Sequence, residues 1–156
     1  MKNITFLFLI ISTISFSQCK IFYDKVDDFT GKRTLGTKPE RIATMDLGFY
    51  LRLDLNKNGD FIFIGATGYD KLGCATSDSY ISIKLMDGNI ITSNNFGEID
   101  CSERPSMYFN LNDNQISLLK NSSIDKIRIS GSELTLDSRN VKNPNYFIET
   151  LKCLED

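Results

Sequence analysis

The fold is decided by the stretch Phe49-Tyr50-Leu51-Arg52-Leu53-Asp54-Leu55, in which apolar and polar side chains alternate. Successive side chains of a β-strand point to opposite faces, so this alternation gives one apolar face and one polar face. The turn-forming residues 56–60 come next, and the dense apolar run at residues 61–64 follows them. The sequence therefore predicts a β-hairpin with one face in the core.

A second hairpin is predicted further along the chain. Residues 80–85 alternate, Asp87-Gly88 is a two-residue turn signal in which both positions accept a positive φ, and residues 89–92 return. Phe29-Thr30-Gly31-Lys32-Arg33 is typical of a turn that leads into a strand. Shorter apolar stretches predict additional strands at residues 21–23, 41–45, 107–111, 124–129 and 133–136.

Two short helices are expected in the second half of the chain. Asn112 and Gln115 have the spacing of a capping box, which predicts a helix near residues 112–120. A C-terminal helix near residues 144–154 is predicted with Asn143 as its cap. Many strands with two short helices indicate a mainly β (α+β) fold, either an antiparallel β-sandwich or a curled sheet or barrel.

The N-terminus has the order of features found in a secretory signal. Lys2 precedes the apolar residues 4–16, and the small-x-small triplet Ser15-Phe16-Ser17 ends the segment. The apolar run is shorter than the ~18–20 residues that span a membrane. We therefore expect residues 1–17 to be a cleavable signal peptide. Residues 18–156 are then a single exported β-rich domain, without a transmembrane span, in the periplasm, at the outer surface or secreted.

The chain has four cysteines, Cys19, Cys74, Cys101 and Cys153. An even number behind a signal peptide favours disulfides in an oxidising compartment. Of the three possible pairings we favour Cys74–Cys101, which closes a hairpin-sized loop, with Cys19–Cys153 tying the termini. Two free buried thiols are the alternative. A lipid anchor at Cys19 is a further alternative, although Gln18 stands where lipoprotein processing uses a small residue.

The composition excludes several kinds of chemistry. The chain contains no histidine, which rules out Ser-His-Asp and Cys-His catalysis and any His-ligated metal. The formal net charge is −2 and there is no basic run, so nucleic acid is not an expected partner. Phosphate-loop and dinucleotide-binding patterns are missing as well. We therefore assign no catalytic, cofactor-binding or metal-binding residue and expect no cofactor.

Residues 54–60 resemble the first half of a calcium loop. Asp54, Asn56 and Asn58 place oxygen atoms at alternate positions before Gly59. The twelfth position of such a loop is a bidentate glutamate, whereas Gly65 stands there in this chain. We interpret the segment as an ordinary polar hairpin turn and keep a weak calcium site as the alternative.

Other charged groups are interpreted as solvated surface. The clusters Asp27-Asp28, Glu98 with Asp100, and Glu155-Asp156 are the candidates for an acid–base carboxylate pair. Adjacent residues of a strand point to opposite faces, which argues against convergence of Asp27 and Asp28. Lys126 and Arg128 share one strand face and could form a small strip that contacts anions, although such strips are usually solvated.

Two stretches carry a resemblance to a group of known proteins. Asp28-Phe29-Thr30-Gly31 followed by Thr37, and the segment at residues 108–129 that ends in Ile-x-x-Ile-Arg-Ile, are similar to small exported proteins common in Bacteroidetes-type bacteria. The Ser17-Gln18 junction is similar too. The resemblance implies export and a β-rich domain, and it carries over no catalytic residue.

The sequence favours a non-catalytic exported domain of the periplasm or cell surface that binds a protein or an envelope component. This expectation depends on the export signal, the cysteines and the missing catalytic motifs. Two alternatives stay open, a carboxylate-based hydrolase that acts on glycan and a calcium-stabilised adhesion-type module.

Overall fold

The computed structural model describes residues 20–154, and the expected signal peptide at residues 1–17 lies outside this part of the chain. The strands are β1 Ile21–Val26, β2 Arg33–Thr37, β3 Glu40–Met45, β4 Tyr50–Asn58, β5 Phe61–Thr67, β6 Tyr80–Leu85, β7 Ile90–Asn94, β8 Ser106–Leu111, β9 Ile124–Ser130 and β10 Thr135–Val141. The α-helices are α1 Asp113–Asn121 and α2 Tyr146–Cys153. No helix within these residues is long and apolar enough to cross a membrane.

The predicted mainly β (α+β) class is confirmed, and its strands form one antiparallel sheet. The hydrogen-bonded order is β1-β2-β4-β3-β10-β9-β6-β7, with β5 on the other edge of β4 and β8 beyond β5. Strands β7 and β8 share no ladder within the described residues: Asn95, directly after β7, forms an isolated bridge with Phe109, and the Ser93 hydroxyl donates to the Asn110 carbonyl at 2.8 Å. The sheet is therefore open, which corrects the more detailed expectation of a sandwich or a curled sheet or barrel.

Strand β4 is the centre of the sheet because it pairs with three strands. Its residues 52–58 pair with β5 on one edge. On the other edge, residues 50–53 pair with β3 and residues 56–58 pair with β2. Where the partner changes, the buried Thr37 hydroxyl accepts a hydrogen bond from the Leu55 amide at 2.9 Å. A buried side chain thus supplies the bond that the ladder lacks at this point.

Strand β10 changes partner in a similar way. Its residues 135–137 pair with β9, and its residues 138–141 pair with β3. At the change of partner, the buried Ser138 hydroxyl accepts a hydrogen bond from the Ile127 amide at 2.9 Å. Because Ser138 satisfies this amide, β10 can join two halves of the sheet without an unpaired buried donor.

The core lies on the apolar face of the β4–β5 hairpin. Leu51, Leu53 and Leu55 are completely buried, as their alternation predicted. Helix α2 contributes Tyr146 and two further buried side chains, Phe147 and Leu151, and Leu154 directly after the helix is buried as well. The Tyr146 hydroxyl donates to the Leu53 carbonyl at 3.2 Å, so the helix is joined to the central strand by a polar contact as well as by packing.

The predicted cap of α1 is confirmed, whereas that of α2 is wrong. The Gln115 amide donates to Asn112 Oδ1 at 2.9 Å, and the Asn112 amide donates to Gln115 Oε1 at 3.0 Å. The helix predicted near residues 144–154 is present as Tyr146–Cys153. Asn145 occupies its cap position and instead accepts a hydrogen bond from the Ser123 hydroxyl at 2.6 Å. Tertiary contacts thus replace the expected local cap at Asn143.

The Cys74–Cys101 disulfide is formed, with a sequence separation of 27 residues. It encloses the β6–β7 hairpin and lies beside a backbone bridge between Ala75 and Asp100. The pairing favoured from the sequence is therefore confirmed for these two residues. Cys19 lies outside the described residues, so the Cys19–Cys153 pairing stays a prediction.

Thr37→Val should destabilise the fold by about 1–2 kcal/mol, because the buried Leu55 amide loses its acceptor while side-chain volume is kept. Urea unfolding measures this change. Thr44→Val on neighbouring β3 is the matched control, since the Thr44 hydroxyl makes no hydrogen bond within the described residues, and it should change the free energy of unfolding little. Equal losses in the two variants would contradict the assigned role of Thr37.

Replacing both Cys74 and Cys101 by serine should lower the free energy of unfolding by about 3–4 kcal/mol, from the chain entropy of a loop of this length. Urea unfolding of the double variant at neutral pH tests this expectation. A loss below about 1 kcal/mol would show that the enclosed hairpin is already ordered in the unfolded chain.

Candidate functional site

Two glycines make room for a concave site on the polar face of the central hairpin. Gly65 of β5 lies opposite Asp54, and Gly36 of β2 lies opposite Asn56. A Cβ atom at Gly65 would come within 2.7 Å of the Asp54 carboxylate, and one at Gly36 would overlap the ring of Tyr23. The missing side chains therefore let the Asp54 carboxylate and the Tyr23 ring lie against the sheet.

Three polar side chains form a hydrogen-bonded chain in this site. The Tyr23 hydroxyl donates to Asn56 Oδ1 at 2.8 Å, and Asn56 Nδ2 donates to Asp54 Oδ2 at 2.6 Å. Asn56 is buried, and its hydrogen bonds to Tyr23 on one side and to Asp54 on the other hold its amide in one orientation. Oδ1 of Asp54 accepts no hydrogen bond from the described part of the chain, so this oxygen can receive a donor from a ligand.

The electrostatics of the site are those of a partly desolvated anion. Burial raises the pKa of the Asp54 carboxyl, and the hydrogen bond from Asn56 opposes part of this effect. Burial also raises the pKa of Tyr23, and the nearby negative charge of Asp54 adds to the increase. No lysine or arginine of the described residues forms an ion pair with Asp54. The site therefore holds a carboxylate without an internal counter-ion.

Aromatic rings surround this carboxylate. They line a cavity of about 420 Å³ whose floor is Asp54 and Asn56. The Phe63 ring contacts the Phe96 and Tyr108 rings at centroid distances of 5.6 and 6.0 Å. Two members remain strongly exposed, Phe22 at 71% and Phe96 at 57%. We call this set the aromatic surface, which consists of Phe22, Tyr23, Phe63, Phe96 and Tyr108.

The candidate calcium segment has a different geometry from that of a calcium loop. Asp54, Asn56 and Asn58 lie along one face of extended strand β4, and Asn58 pairs directly with Phe61 of β5. The turn interpretation is confirmed, although the turn itself is shorter than expected. Within residues 20–154, no three or more Asp, Glu, Cys or His side chains are placed to hold a metal ion together.

Two of the carboxylates in the clusters named from the sequence accept hydrogen bonds from backbone amides. Asp27 accepts hydrogen bonds from the Phe29 and Thr30 amides at 3.0 and 2.6 Å. Asp100 accepts from the Ser102 and Ser106 amides at 2.9 and 2.8 Å. Glu155 and Asp156 lie beyond the described residues. Neither Asp27 nor Asp100 belongs to the aromatic cavity, in which Asp54 is the sole carboxylate among the described residues that line it.

The basic strip of Lys126 and Arg128 is satisfied within the protein. Asp137 of the neighbouring strand forms ion pairs with Lys126 at 3.0 Å and with Arg128 at 2.6 Å. The hydrogen bonds from Arg128 lower the pKa of Asp137 to about 2. Because both cations already share a carboxylate, this strip is a poor candidate for an anion site.

Comparisons of this chain with known protein families, curated proteins and solved structures gave no match. Sequence reasoning had singled out Asp54 and Asn56, but for a metal loop. It missed Tyr23, Gly36 and the other aromatic residues, because their convergence depends on strand pairing. The one local signal was Gly65, a glycine inside a dense apolar strand.

Asp54→Asn should raise the melting temperature at pH 7, because it removes a charge that is costly to bury and keeps an oxygen for Asn56. The folded pKa of Asp54 lies above its unfolded value, so ionised Asp54 costs stability at neutral pH, and this cost disappears as the pH falls through both values. The difference from wild type should therefore become small near pH 3, where most of the carboxyl is protonated in both states.

Thermal melts at pH 7 and pH 3 measure this effect. Asp60→Asn is the matched control, since Asp60 is exposed in the turn of the same hairpin, and it should shift the melting temperature little at either pH. A lower melting temperature for Asp54→Asn at pH 7 would show that ionised Asp54 stabilises the fold.

Proposed function

We propose that this chain is an exported, non-catalytic binding domain that recognises a protein partner through a lysine or arginine side chain placed in the Asp54 cavity. One observation carries the proposal: a partly buried carboxylate, which has no ion-pair partner among the described residues, lies in a cavity lined by aromatic rings. An incoming cation would supply the missing charge.

The chemistry of the walls suits such a cation. Ammonium and guanidinium groups are attracted to the faces of aromatic rings, and the attraction is stronger where water is excluded. The free Oδ1 of Asp54 can accept a charge-assisted hydrogen bond from the same group. Carboxylate and rings together therefore distinguish a basic side chain from a neutral one.

The surroundings of the cavity suit a protein rather than a free small molecule. Beyond the rings that line it, the aromatic surface continues to Phe96, and Phe61 of β5 is also exposed. Neighbouring aromatic side chains that are exposed in the free protein are typical of surfaces that become the buried centre of a protein interface. Tyrosine and phenylalanine provide large contact areas with few rotatable bonds, which limits the entropy lost on binding.

Export is part of this proposal. It is supported by the N-terminal sequence, by the Cys74–Cys101 disulfide and by the resemblance to small exported proteins. These features are expected of a domain that works in the periplasm or at the cell surface. An envelope protein that presents a basic side chain is then the partner class that we propose.

The two alternatives receive less support from the geometry. A glycan hydrolase of the common kind needs two carboxyl groups about 5–9.5 Å apart across the bond that is cleaved. The described residues that line the Asp54 cavity contribute one carboxylate. A calcium-stabilised module needs several oxygen ligands wrapped around an ion, whereas residues 54–58 form an extended strand.

An NMR titration tests the proposal with three capped amino acids. N-acetyl-lysine methylamide and N-acetyl-arginine methylamide should shift the signals of Asn56 and of the Tyr23, Phe63 and Tyr108 rings. The uncharged norleucine analogue should cause much smaller shifts, because it cannot replace the missing cation. Saturable shifts at millimolar concentration are expected, since a single side chain carries a small part of an interface.

Two variants complete this test. Asp54→Asn should abolish the preference for the charged probes, while Asp60→Asn should leave it unchanged. Equal shifts from the charged and uncharged probes in the wild-type protein would refute the assignment of a cation site. A preference that survives Asp54→Asn would refute the role of this carboxylate.

A further inference from the structure

A second cavity lies on the same face of the central hairpin, toward the start of β4. It has a volume of about 480 Å³, and Arg52, Arg104, Phe49 and Tyr69 are among the residues that line it. The rings of Phe49 and Tyr69 stack with a centroid distance of 4.7 Å. This volume is in the range of small-molecule sites, about 300–1,000 Å³.

Two arginines face each other beside this cavity. Arg41 of β3 and Arg52 of β4 are direct cross-strand partners, so their side chains leave the sheet on the same face. Like charges placed directly opposite each other destabilise a sheet. Neither arginine forms an ion pair with the described residues, in contrast to Lys126 and Arg128, which share Asp137. The repulsion between Arg41 and Arg52 is therefore not relieved by a shared carboxylate, whereas that between Lys126 and Arg128 is relieved by Asp137.

A third cation joins them through an aromatic ring. The Arg41 guanidinium lies 4.7 Å and the Lys142 ammonium 4.2 Å from the centroid of the Tyr50 ring. Tyr50 is two residues before Arg52 and on the same strand face. Tyr50 therefore holds two cations near Arg52 through cation–π attraction without cancelling their charge.

The acidic groups near this cluster do not neutralise it. Glu103 lines the cavity but forms no ion pair with either arginine within residues 20–154. Asp46 is engaged by Arg139 at 3.1 Å. Asp54, two positions after Arg52, makes its hydrogen bond with Asn56 instead. Positive charge is therefore concentrated at one end of the hairpin face.

We propose that this second cavity binds an acidic sugar, a saccharide unit that carries a carboxylate or a phosphate. Arg52 and Arg104, which line the cavity, contact the oxyanion, because guanidinium groups match the planar or forked geometry of these oxygens, and Arg41 adds positive charge beside them. The rings of Phe49 and Tyr69 provide the apolar wall for the C–H face of the sugar. The Thr67 hydroxyl and the Glu103 carboxylate are placed to meet sugar hydroxyls.

This proposal is independent of the cation site at Asp54, since it uses a different cavity and different residues. Both cavities lie on one face of β4, one centred on an anion and the other on cations. An envelope ligand could therefore be bound through the second cavity whether or not a protein occupies the first.

Isothermal titration calorimetry tests this proposal with D-glucuronate, glucose 6-phosphate, glucose and inorganic phosphate. The two acidic sugars should bind the wild-type protein more tightly than either glucose or inorganic phosphate. Arg52→Gln and Arg104→Gln should each weaken this binding by about tenfold or more, as expected for the loss of a charge-assisted hydrogen bond. Arg33→Gln, on the β1–β2 arm, is the charge-matched control and should bind as wild type does.

Thermal melts separate a binding role from a structural one. Arg52→Gln should melt at the same temperature as wild type or higher, because it relieves the repulsion with Arg41. Acidic sugars that bind no better than glucose would overturn the oxyanion site. Inorganic phosphate that binds as tightly as glucose 6-phosphate would overturn the assignment of a sugar ligand. Unchanged binding in both arginine variants would overturn the role of these residues.

Discussion

Strand β4 pairs along both of its edges, and the rest of the structure depends on this pairing. One edge is taken by β5, while the other is shared between β3 and β2. A shared edge leaves a backbone amide at the junction, and burying that amide without a partner would cost more than an ordinary hydrogen bond contributes. The Thr37 hydroxyl resolves this problem for Leu55, as Ser138 does for Ile127 on the far side of the sheet.

Strand β4 has one face that stabilises the fold and an opposite face that carries the candidate binding residues. Its apolar side chains form the centre of the core, and its polar side chains alternate in charge along the opposite face, with Arg52 and then Asp54. Neither charge is neutralised by an ion pair with the other, although they are neighbours on that face. The stability of the domain thus comes from one face, while the other face keeps charges that are expensive for an isolated protein.

Local patterns in the sequence were enough to predict the hairpins, the mainly β class and the capping box of α1. They predicted only the start of β10 through the strand at residues 133–136, because the rest of Thr135–Val141 is polar and is ordered by pairing with β3 and β9. The predicted cap of α2 was wrong because Ser123, which is distant in sequence, donates a hydrogen bond to Asn145.

For the site, the sequence pattern indicated Asp54 and Asn56 only as oxygen ligands of a calcium loop. Their true neighbours, Tyr23 and the surrounding rings, are brought close by pairings that no local pattern specifies.

Strand β1 has a consequence for the proton affinity of the site. Within residues 20–154 it pairs with β2 alone, and its Tyr23 both lines the cavity and donates a hydrogen bond to Asn56 beside the carboxylate. Moving β1 outward would hydrate Asp54 and bring its pKa back toward the ordinary value, whereas docking β1 dries the carboxylate and makes it bind a proton more readily. Docking of β1 against the cavity and protonation of Asp54 are therefore thermodynamically linked, so a lower pH favours the docked strand.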